Sequence, residues 1–301
     1  MWVTVLEAIQ KSTEFLSRKN VGSPRLQTEL LLAHVLGLPR MKLYLNFDRP
    51  LSAAETDALR VLVVRRGQRE PLQHIVGSTS FCGLELRVSG QALVPRPETE
   101  LLAELGWQFL QQRERERPAA GGPTALDFGT GSGCLAIALA VKCPSARITA
   151  LDISAPALAL AQENANTHQV AGRIEFLAGD GLTALNGAGE NPATGPRCFD
   201  LIIANPPYIA TAEIETLEPE VKDFDPRAAL DGGLDGLDFY RLLARAARQH
   251  LPPQGKIMLE FGDDQADAIS GIFAGENWIV EAIREDYSQR ARIFVARPTG
   301  P

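Results

Sequence analysis

Cysteine and histidine are scarce in this chain of 301 residues, and neither type is clustered. The four cysteines are Cys82, Cys134, Cys143 and Cys198. No two of them form a C-x-x-C pair, so the spacing fits neither a zinc site nor a disulfide framework. Isolated cysteines are most often reduced and buried. We therefore expect neither a metal site nor a disulfide bond.

Long apolar runs and basic leader segments are also missing. The apolar run at 134–141 stops at Lys142, far short of the roughly 20 residues that a membrane-spanning helix requires. Residues 1–10 include Glu7 and have no basic stretch followed by an apolar one, unlike a signal peptide. These absences predict a cytoplasmic protein that does not associate with membranes.

Positive charge is not in excess either. The chain has 30 Lys and Arg residues against 37 Asp and Glu residues, which gives a net charge of −7. Nonspecific binding to phosphate backbones depends on clustered Lys and Arg. The balance argues against stable nucleic-acid binding, and an acidic surface suits a basic protein partner. We expect the chain to act as a monomer.

The first seventy residues have helical patterns. Thr4 with Glu7 and Ser52 with Glu55 both match the capping box, in which a hydroxyl and a carboxylate satisfy the free N–H groups at a helix start. Apolar residues then recur at helical spacing. The pattern predicts a small helical domain over residues 1–70.

The pattern changes after residue 70. Short β-like runs such as 81–88 are separated by glycines over residues 71–95, which predicts a β-hairpin linker. A helix is predicted from about residue 98 to 113. The remainder of the chain, 96–301, forms the second domain in this interpretation.

Strand and helix patterns alternate beyond residue 123. Strands are predicted at 124–128, 147–151, 173–177, 199–204, 256–261, 278–283 and 291–296. This alternation indicates an α/β fold with a mainly parallel, doubly wound sheet. Only a short turn separates the last two strands, so one of the seven is antiparallel, as in a Rossmann-like methyltransferase sheet. Residues 187–195, rich in Gly, Pro and Asn, are predicted to be a surface loop.

A glycine-rich loop follows the first of these strands. Its residues are Gly129, Thr130, Gly131, Ser132 and Gly133. Glycines allow a sharp turn and a close approach to a ligand. The third glycine of a dinucleotide fingerprint would fall on Cys134, so the loop has a different pattern. S-adenosylmethionine has no phosphate, and we expect the loop to pack against its methionine part and ribose.

Acidic residues end the next two strands. Asp152 can accept hydrogen bonds from two ribose hydroxyls, and Asp180 can accept one from the adenine amino group. Either residue alone could be a helix cap or a solvated loop residue. Their positions at successive strand ends of one sheet favour a binding site for S-adenosylmethionine.

The strand at 199–204 runs directly into Asn205, Pro206, Pro207 and Tyr208. An amide or exocyclic amine nitrogen is a poor nucleophile because its lone pair is delocalised. The Asn205 side-chain oxygen and the Pro206 carbonyl can each accept one of its N–H groups, and Tyr208 can stack on its planar face. The motif therefore predicts methyl transfer to a planar nitrogen, with adenine and glutamine equally allowed.

Six segments together carry a resemblance to a known family. They are 71–77 (PLQHIVG), 81–84 (FCGL), 94–100 (VPRPETE), 129–133 (GTGSG), 205–209 (NPPYI) and 235–238 (DGLD). With these segments the sequence resembles the release-factor glutamine methyltransferases, the PrmC/HemK family, over nearly its whole length.

The resemblance implies methylation of the side-chain amide nitrogen (N5) of the glutamine in the Gly-Gly-Gln motif of peptide-chain release factors. By motif position, the loop at 129–133, Asp152 and Asn205 should contact S-adenosylmethionine, and residues 205–208 should contact the glutamine. Some family members have an aromatic residue beside adenine where Gly181 stands here. That contact must come from the backbone or from another residue.

Arg96 and Glu98 are predicted to line the substrate pocket, because the hairpin before them should lie over the carboxyl edge of the sheet. A rigid turn that introduces the next helix is the alternative. The helical domain is predicted to bind the release factor. The competing function is an adenine N6-methyltransferase acting on DNA or RNA, but the sequence has no basic groove or target-recognition domain. A non-catalytic binding protein would not need the intact segment at 205–208.

Overall fold

The computed structural model describes residues 3–117, 121–186 and 197–299. The predicted surface loop at 187–195 lies outside the described residues. The chain forms two compact units. One comprises Met1–Ser78 and Leu217–Phe224, and the other comprises Thr79–Thr216 and Asp225–Pro301. The division predicted at residues 70 and 95, and the role predicted for each part, stay predictions.

The helices and strands of the described residues have the following bounds. The helices are α1 (Val5–Arg18), α2 (Pro24–Leu36), α3 (Arg40–Leu43), α4 (Ala53–Gly67), α5 (Leu72–Val76), α6 (Pro97–Glu116), α7 (Cys134–Lys142), α8 (Ala155–Thr167), α9 (Pro219–Lys222), α10 (Asp238–Ala246) and α11 (Ala266–Gly275). The strands are β1 (Ser78–Phe81), β2 (Leu84–Arg87), β3 (Thr124–Phe128), β4 (Arg147–Asp152), β5 (Ile174–Ala178), β6 (Leu201–Ala204), β7 (Lys256–Glu260), β8 (Trp278–Glu285) and β9 (Ala291–Pro298). No helix within the described ranges is both long and apolar enough to cross a membrane.

The N-terminal unit is helical, as predicted. Both capping boxes are present, with Thr4 and Glu7 at the start of α1 and Ser52 and Glu55 at the start of α4. Each hydroxyl accepts from the backbone N–H three residues on, at 3.2 Å, and each glutamate accepts from the N-cap N–H. Leucines and other apolar residues from all five helices α1 to α5 form its buried core.

Two arginines at the end of α4 hold a distant segment in this unit. Arg66 Nη2 donates to Glu220 Oε1 at 2.6 Å, and Arg69 Nη2 donates to Glu218 Oε2 at 2.5 Å. Arg66 is only 3% exposed. A buried guanidinium is costly without a partner, so the two glutamates complete the unit.

The structure corrects the sequence pattern over residues 71–95 in one place. Residues Leu72–Val76 are the short helix α5, with Ile75 buried among the other helices, and not a β-like run. The hairpin follows as β1 and β2. Cys82 and Gly83 link these strands with φ of 51° and 78°, the positive values that a type I′ hairpin turn requires.

The seven-stranded sheet has the order β5-β4-β3-β6-β7-β9-β8. Strand β9 is antiparallel to both neighbours, and the other neighbouring pairs are parallel. The predicted seven-stranded Rossmann-like sheet with one antiparallel strand is confirmed. Asp127 of β3 pairs with Ile203 of β6. The chain winds outward from β3 on one side and returns at β6 on the other, so their carboxyl ends flank the switch point where such sheets bind ligands.

Helices cover both faces of the sheet at this point. The four residues of β6 are all buried. Leu201 and Ile203 lie in the core that contains α7, while Ile202 and Ala204 lie in the core that contains α10. Gly106 lets α6 approach the first face, since an added Cβ would lie 3.0 Å from the Ile203 side chain. Such two-sided burial holds the strand, and the segment that follows it, in place.

Candidate active site

The glycine loop lies between the carboxyl ends of β3 and β4. Gly129, Gly131 and Gly133 have φ of 73°, 55° and 82°, values that favour glycine. A Cβ on Gly129 would have no atom of the described residues within 4 Å, whereas one on Gly133 would lie 3.0 Å from Ala161 of α8. Gly129 therefore leaves space on the ligand side, and Gly133 allows α7 and α8 to pack closely.

Asp127, for which no role was predicted, holds the loop against the start of α7. Its Oδ2 accepts from Thr130 Oγ1 at 2.6 Å and from the Ala136 N–H at 3.0 Å. Its Oδ1 is buried and has no hydrogen-bond partner among the described residues. Burial raises the pKa of this carboxyl to about 7. The signal in the sequence was an acidic residue just before the loop.

Asp152 ends β4 beside the loop, as predicted. Its Oδ2 accepts from the Gly131 N–H and its Oδ1 from the Ser154 N–H, both at 2.8 Å. Each oxygen of an ionised carboxylate can accept more than one hydrogen bond. The half-buried carboxylate can thus support the loop and still accept from a ligand.

Asp180 and Gly181 follow β5, the neighbour of β4. The Gly179 N–H donates to the Asp152 carbonyl at 3.0 Å, which brings this turn to the same edge of the sheet. Asp180 is exposed and Gly181 has a φ of 63°. A Cβ on Gly181 would lie 3.8 Å from Leu242 Cδ1 of α10. Leu242 is 38% exposed, so it provides apolar surface beside Gly181.

Asn164 links the glycine loop to the hairpin, and the sequence interpretation missed it. Its Nδ2 donates to the carbonyls of Ser132 and Arg87, both at 3.0 Å, and its Oδ1 accepts from the Arg87 N–H at 2.8 Å. The side chain is 2% exposed. An asparagine on the apolar face of α8 was the available signal.

The segment after β6 is braced by the loop at 230–236. The Ile209 N–H donates to the Leu230 carbonyl at 3.0 Å, and the Gly232 N–H donates back to the Ile209 carbonyl at 2.8 Å. An added Cβ on Gly236 would collide with the Tyr208 carbonyl oxygen. The DGLD segment therefore packs directly against the NPPY segment through Gly236.

A directed chain of hydrogen bonds starts at the Asn205 side chain. Asn205 Nδ2 donates to Thr99 Oγ1 at 3.1 Å, and Thr99 Oγ1 donates to Glu260 Oε2 at 2.7 Å. Glu260 ends β7 and is 2% exposed. Burial raises the pKa of Glu260 to about 7, against the opposing effect of the Thr99 hydrogen bond. The sequence interpretation found Asn205 but neither partner.

Tyr208 lies beside the segment that follows β7. Its ring lies against Gly262, where an added Cβ would be 3.0 Å from Tyr208 Cδ2, and its carbonyl accepts from Gln265 Nε2 at 2.9 Å. Burial, with a smaller contribution from the Glu260 charge, raises the pKa of the phenol to about 12. Tyr208 is therefore a neutral, planar surface at physiological pH.

Arg96 and Glu98 lie at the start of α6. Arg96 Nη2 pairs with the buried carboxylate of Asp225 at 2.7 Å, so its guanidinium is anchored within the protein. Glu98 is exposed in the first turn of the helix. A role for either residue in lining the substrate pocket stays a prediction.

The sheet order, the glycine loop and the Asn-Pro-Pro-Tyr segment at the switch point define an S-adenosylmethionine-dependent methyltransferase. Comparison with known proteins gives the family. Residues 7–77 match the PrmC N-terminal domain, and residues 108–219 match the methyltransferase small domain. The chain belongs to the release factor glutamine methyltransferase family.

Individual relatives cover almost the full chain. A release factor glutamine methyltransferase of Geobacter sulfurreducens is 44% identical over 90% of this chain and 88% of its own length. That of Chlorobaculum tepidum is 39% identical, covering 96% and 95%. A solved methyltransferase from Pyrococcus furiosus, 18% identical with a TM-score of 0.50, covers 78% of this chain and 100% of that one and shows the shared fold.

Proposed function

We propose that this enzyme methylates the side-chain amide nitrogen (N5) of the glutamine in the Gly-Gly-Gln motif of peptide-chain release factors. The orientation of the Asn205 amide supports methyl transfer to a planar nitrogen, and the relatives, at 44% and 39% identity, favour glutamine over adenine as the carrier of that nitrogen. Because Nδ2 is engaged by Thr99, Oδ1 is the atom left to accept an N–H of the substrate. The names of the relatives support a release-factor substrate.

We propose that the residues at the carboxyl edge of the sheet hold S-adenosylmethionine. They are Gly129, Thr130, Gly131, Ser132, Gly133, Asp152, Asp180, Gly181 and Asn205. The open space at Gly129, the spare acceptor capacity of Asp152 and the exposed Leu242 beside Gly181 fit a ligand with a ribose and an adenine ring. When bound, this cofactor supplies the methyl group.

The chain itself orients and shields the reacting nitrogen. Asn205 Oδ1 and the Pro206 carbonyl each accept one N–H of the planar amide, which directs its lone pair out of the amide plane. Tyr208 covers the planar face and keeps water away. Correct placement of reacting groups can lower a barrier by roughly 7–11 kcal/mol, so no strong base is required.

Other parts of the proposal concern the protein substrate. Arg96, Glu98 and Pro207 line its pocket, and the helical domain recognises the rest of the release factor. The net charge of −7 supports a basic partner and no stable complex with nucleic acid. We place the reaction in the cytoplasm, where translation ends, and propose that a monomer performs it.

Transfer of a labelled methyl group tests the proposed function. Purified enzyme should label a release factor and should fail to label one whose Gly-Gly-Gln glutamine is replaced by alanine. Equal labelling of the altered factor would exclude the glutamine as the acceptor. Label in DNA supplied alone would favour the adenine methyltransferase.

A further inference from the structure

We propose that Thr99 and Glu260 are positioning residues that hold the Asn205 amide in the orientation required for methyl transfer. This inference rests on the proposed function, because it takes Asn205 Oδ1 as the acceptor of a substrate N–H. The three side chains come from α6, the end of β6 and the end of β7. Neither Thr99 nor Glu260 contacts the substrate in this proposal.

The number of protons available fixes the direction of the hydrogen bonds that link Asn205, Thr99 and Glu260. A threonine hydroxyl has one proton to donate. Thr99 gives that proton to Glu260 Oε2 at 2.7 Å, so its oxygen can only accept from the third partner. The Asn205 group that bonds Thr99 must then be Nδ2, at 3.1 Å, so Oδ1 is the atom of this amide that remains as an acceptor for a substrate N–H.

Protonation of Glu260 removes this constraint. A neutral carboxyl can donate to Thr99, and Thr99 can then donate to Asn205 Oδ1. The amide would turn its Nδ2 towards the substrate, where two N–H groups would oppose each other. The enzyme with ionised Glu260 is thus the form that can transfer the methyl group. The linked hydrogen bonds through Thr99 also polarise the Asn205 amide, which makes Oδ1 a stronger acceptor.

The surroundings of Glu260 place this change in the neutral pH range. Burial is the main reason that the pKa of Glu260 is raised to about 7, and the Glu98 carboxylate adds to it. The Thr99 hydrogen bond, the Arg292 charge and a weaker hydrogen bond from Asn205 itself oppose this rise. Tyr208 and Tyr240 are neutral neighbours, since the pKa of each phenol is raised. Tyr240 also donates to the Glu260 carbonyl at 2.8 Å, which fixes this strand end.

Three variants test the inference. Thr99→Val removes the hydroxyl at nearly constant volume, and Thr99→Ser restores it. Glu260→Gln keeps an acceptor for Thr99 but cannot ionise. Thr149→Val is the matched control, because Thr149 is also a buried threonine that donates to a glutamate, at 3.3 Å, but lies in the middle of β4.

We expect Thr99→Val to lower kcat on the release factor by roughly 10- to 100-fold while KM changes by less than about threefold. Thr99→Ser and Thr149→Val should stay within about threefold of the unchanged enzyme in kcat. The unchanged enzyme should lose kcat as pH falls through about 7, and Glu260→Gln should be slower but lack this acid limb.

Two results would overturn the inference. One is a folded Thr99→Val variant with unchanged kcat across the pH range. The other is an acid limb that persists in Glu260→Gln, which decides the matter even if Thr99→Val does not fold. Failure of the proposed function looks different, because the unchanged enzyme would then not label the release factor.

Discussion

The acidic side chains of this protein differ both in burial and in their hydrogen-bond partners, and the two together set their pKa values. Asp127 and Glu260 are buried, and burial raises the pKa of each carboxyl to about 7. Asp235 lies at the surface beside Arg241, and the guanidinium hydrogen bond lowers the pKa of Asp235 to about 2. Carboxyl groups that can take up a proton near neutral pH therefore lie at the sheet edge that forms the site.

Replacement of Asn205 tests the acceptor directly. Asn205→Ala removes the oxygen that receives the substrate N–H, so we expect kcat to fall by about 10²- to 10³-fold, as for loss of a single transition-state hydrogen bond. The dissociation constant for S-adenosylmethionine, measured by titration, should change much less. Unchanged turnover would remove Asn205 from the mechanism.

Residues of the site differed in how far sequence could reveal them. The glycine loop and the Asn-Pro-Pro-Tyr segment are contiguous, so their residue types and order were enough to place them at strand ends. Thr99 lies 106 residues from Asn205 and 161 from Glu260 along the chain. A threonine in a helix has no local mark of such partners, so only the fold shows its part in the site.

Individual elements were predictable where their signals were local. The two capping boxes and the seven strands lie within a few residues of their predicted positions. Helix α5 was missed because it is five residues long and no side chain caps it. Packing of Ile75 in the helical core outweighs the β-branched character of Ile75 and Val76. Such packing between distant residues leaves no recognisable pattern in a short stretch of sequence.

Asn164 offers a test of how three elements are held together. Asn164→Ala would leave the backbone groups of Arg87 and Ser132 without their partner. We expect the free energy of unfolding, measured with urea, to fall by about 1–3 kcal/mol. S-adenosylmethionine binding should also weaken, because the glycine loop loses its support.

Asn166→Ala is the matched control for this change. It makes the same substitution in the same helix at an exposed position, and should alter stability by no more than about 0.5 kcal/mol. Equal effects of the two substitutions would show that the hydrogen bonds of Asn164 do not stabilise the fold.

The stability of the whole molecule should depend on pH through its buried carboxyl groups. Asp127 and Glu260 have pKa values of about 7 in the folded protein, against ordinary values of 3.8 and 4.5. At pH values between the ordinary and the raised pKa, these carboxyl groups keep their protons in the folded state but have lost them in the unfolded state. The free energy of unfolding should therefore fall as pH rises, by up to about 1.4 kcal/mol per group and pH unit.

Denaturation with urea from about pH 5 to about pH 8 measures this dependence. In the combined Asp127→Asn and Glu260→Gln variant, the free energy of unfolding should fall much less as pH rises. Carboxylates with lowered pKa values, such as Asp235, act at lower pH and do not compensate for it. If the free energy of unfolding fell equally steeply with pH in this variant, groups other than Asp127 and Glu260 would cause the pH dependence.

The ion pairs between α4 and the 217–224 segment determine which parts of the gene must be exchanged together. They join Arg66 and Arg69 to Glu220 and Glu218. Glu220 lies 154 residues after Arg66 in the chain. The helical unit is therefore completed only after four of the seven strands of the sheet have been synthesised. A chimaera that exchanges residues 1–78 alone would place a buried guanidinium and its glutamate partner in segments of different origin, so the 217–224 segment should be exchanged together with the helices it completes.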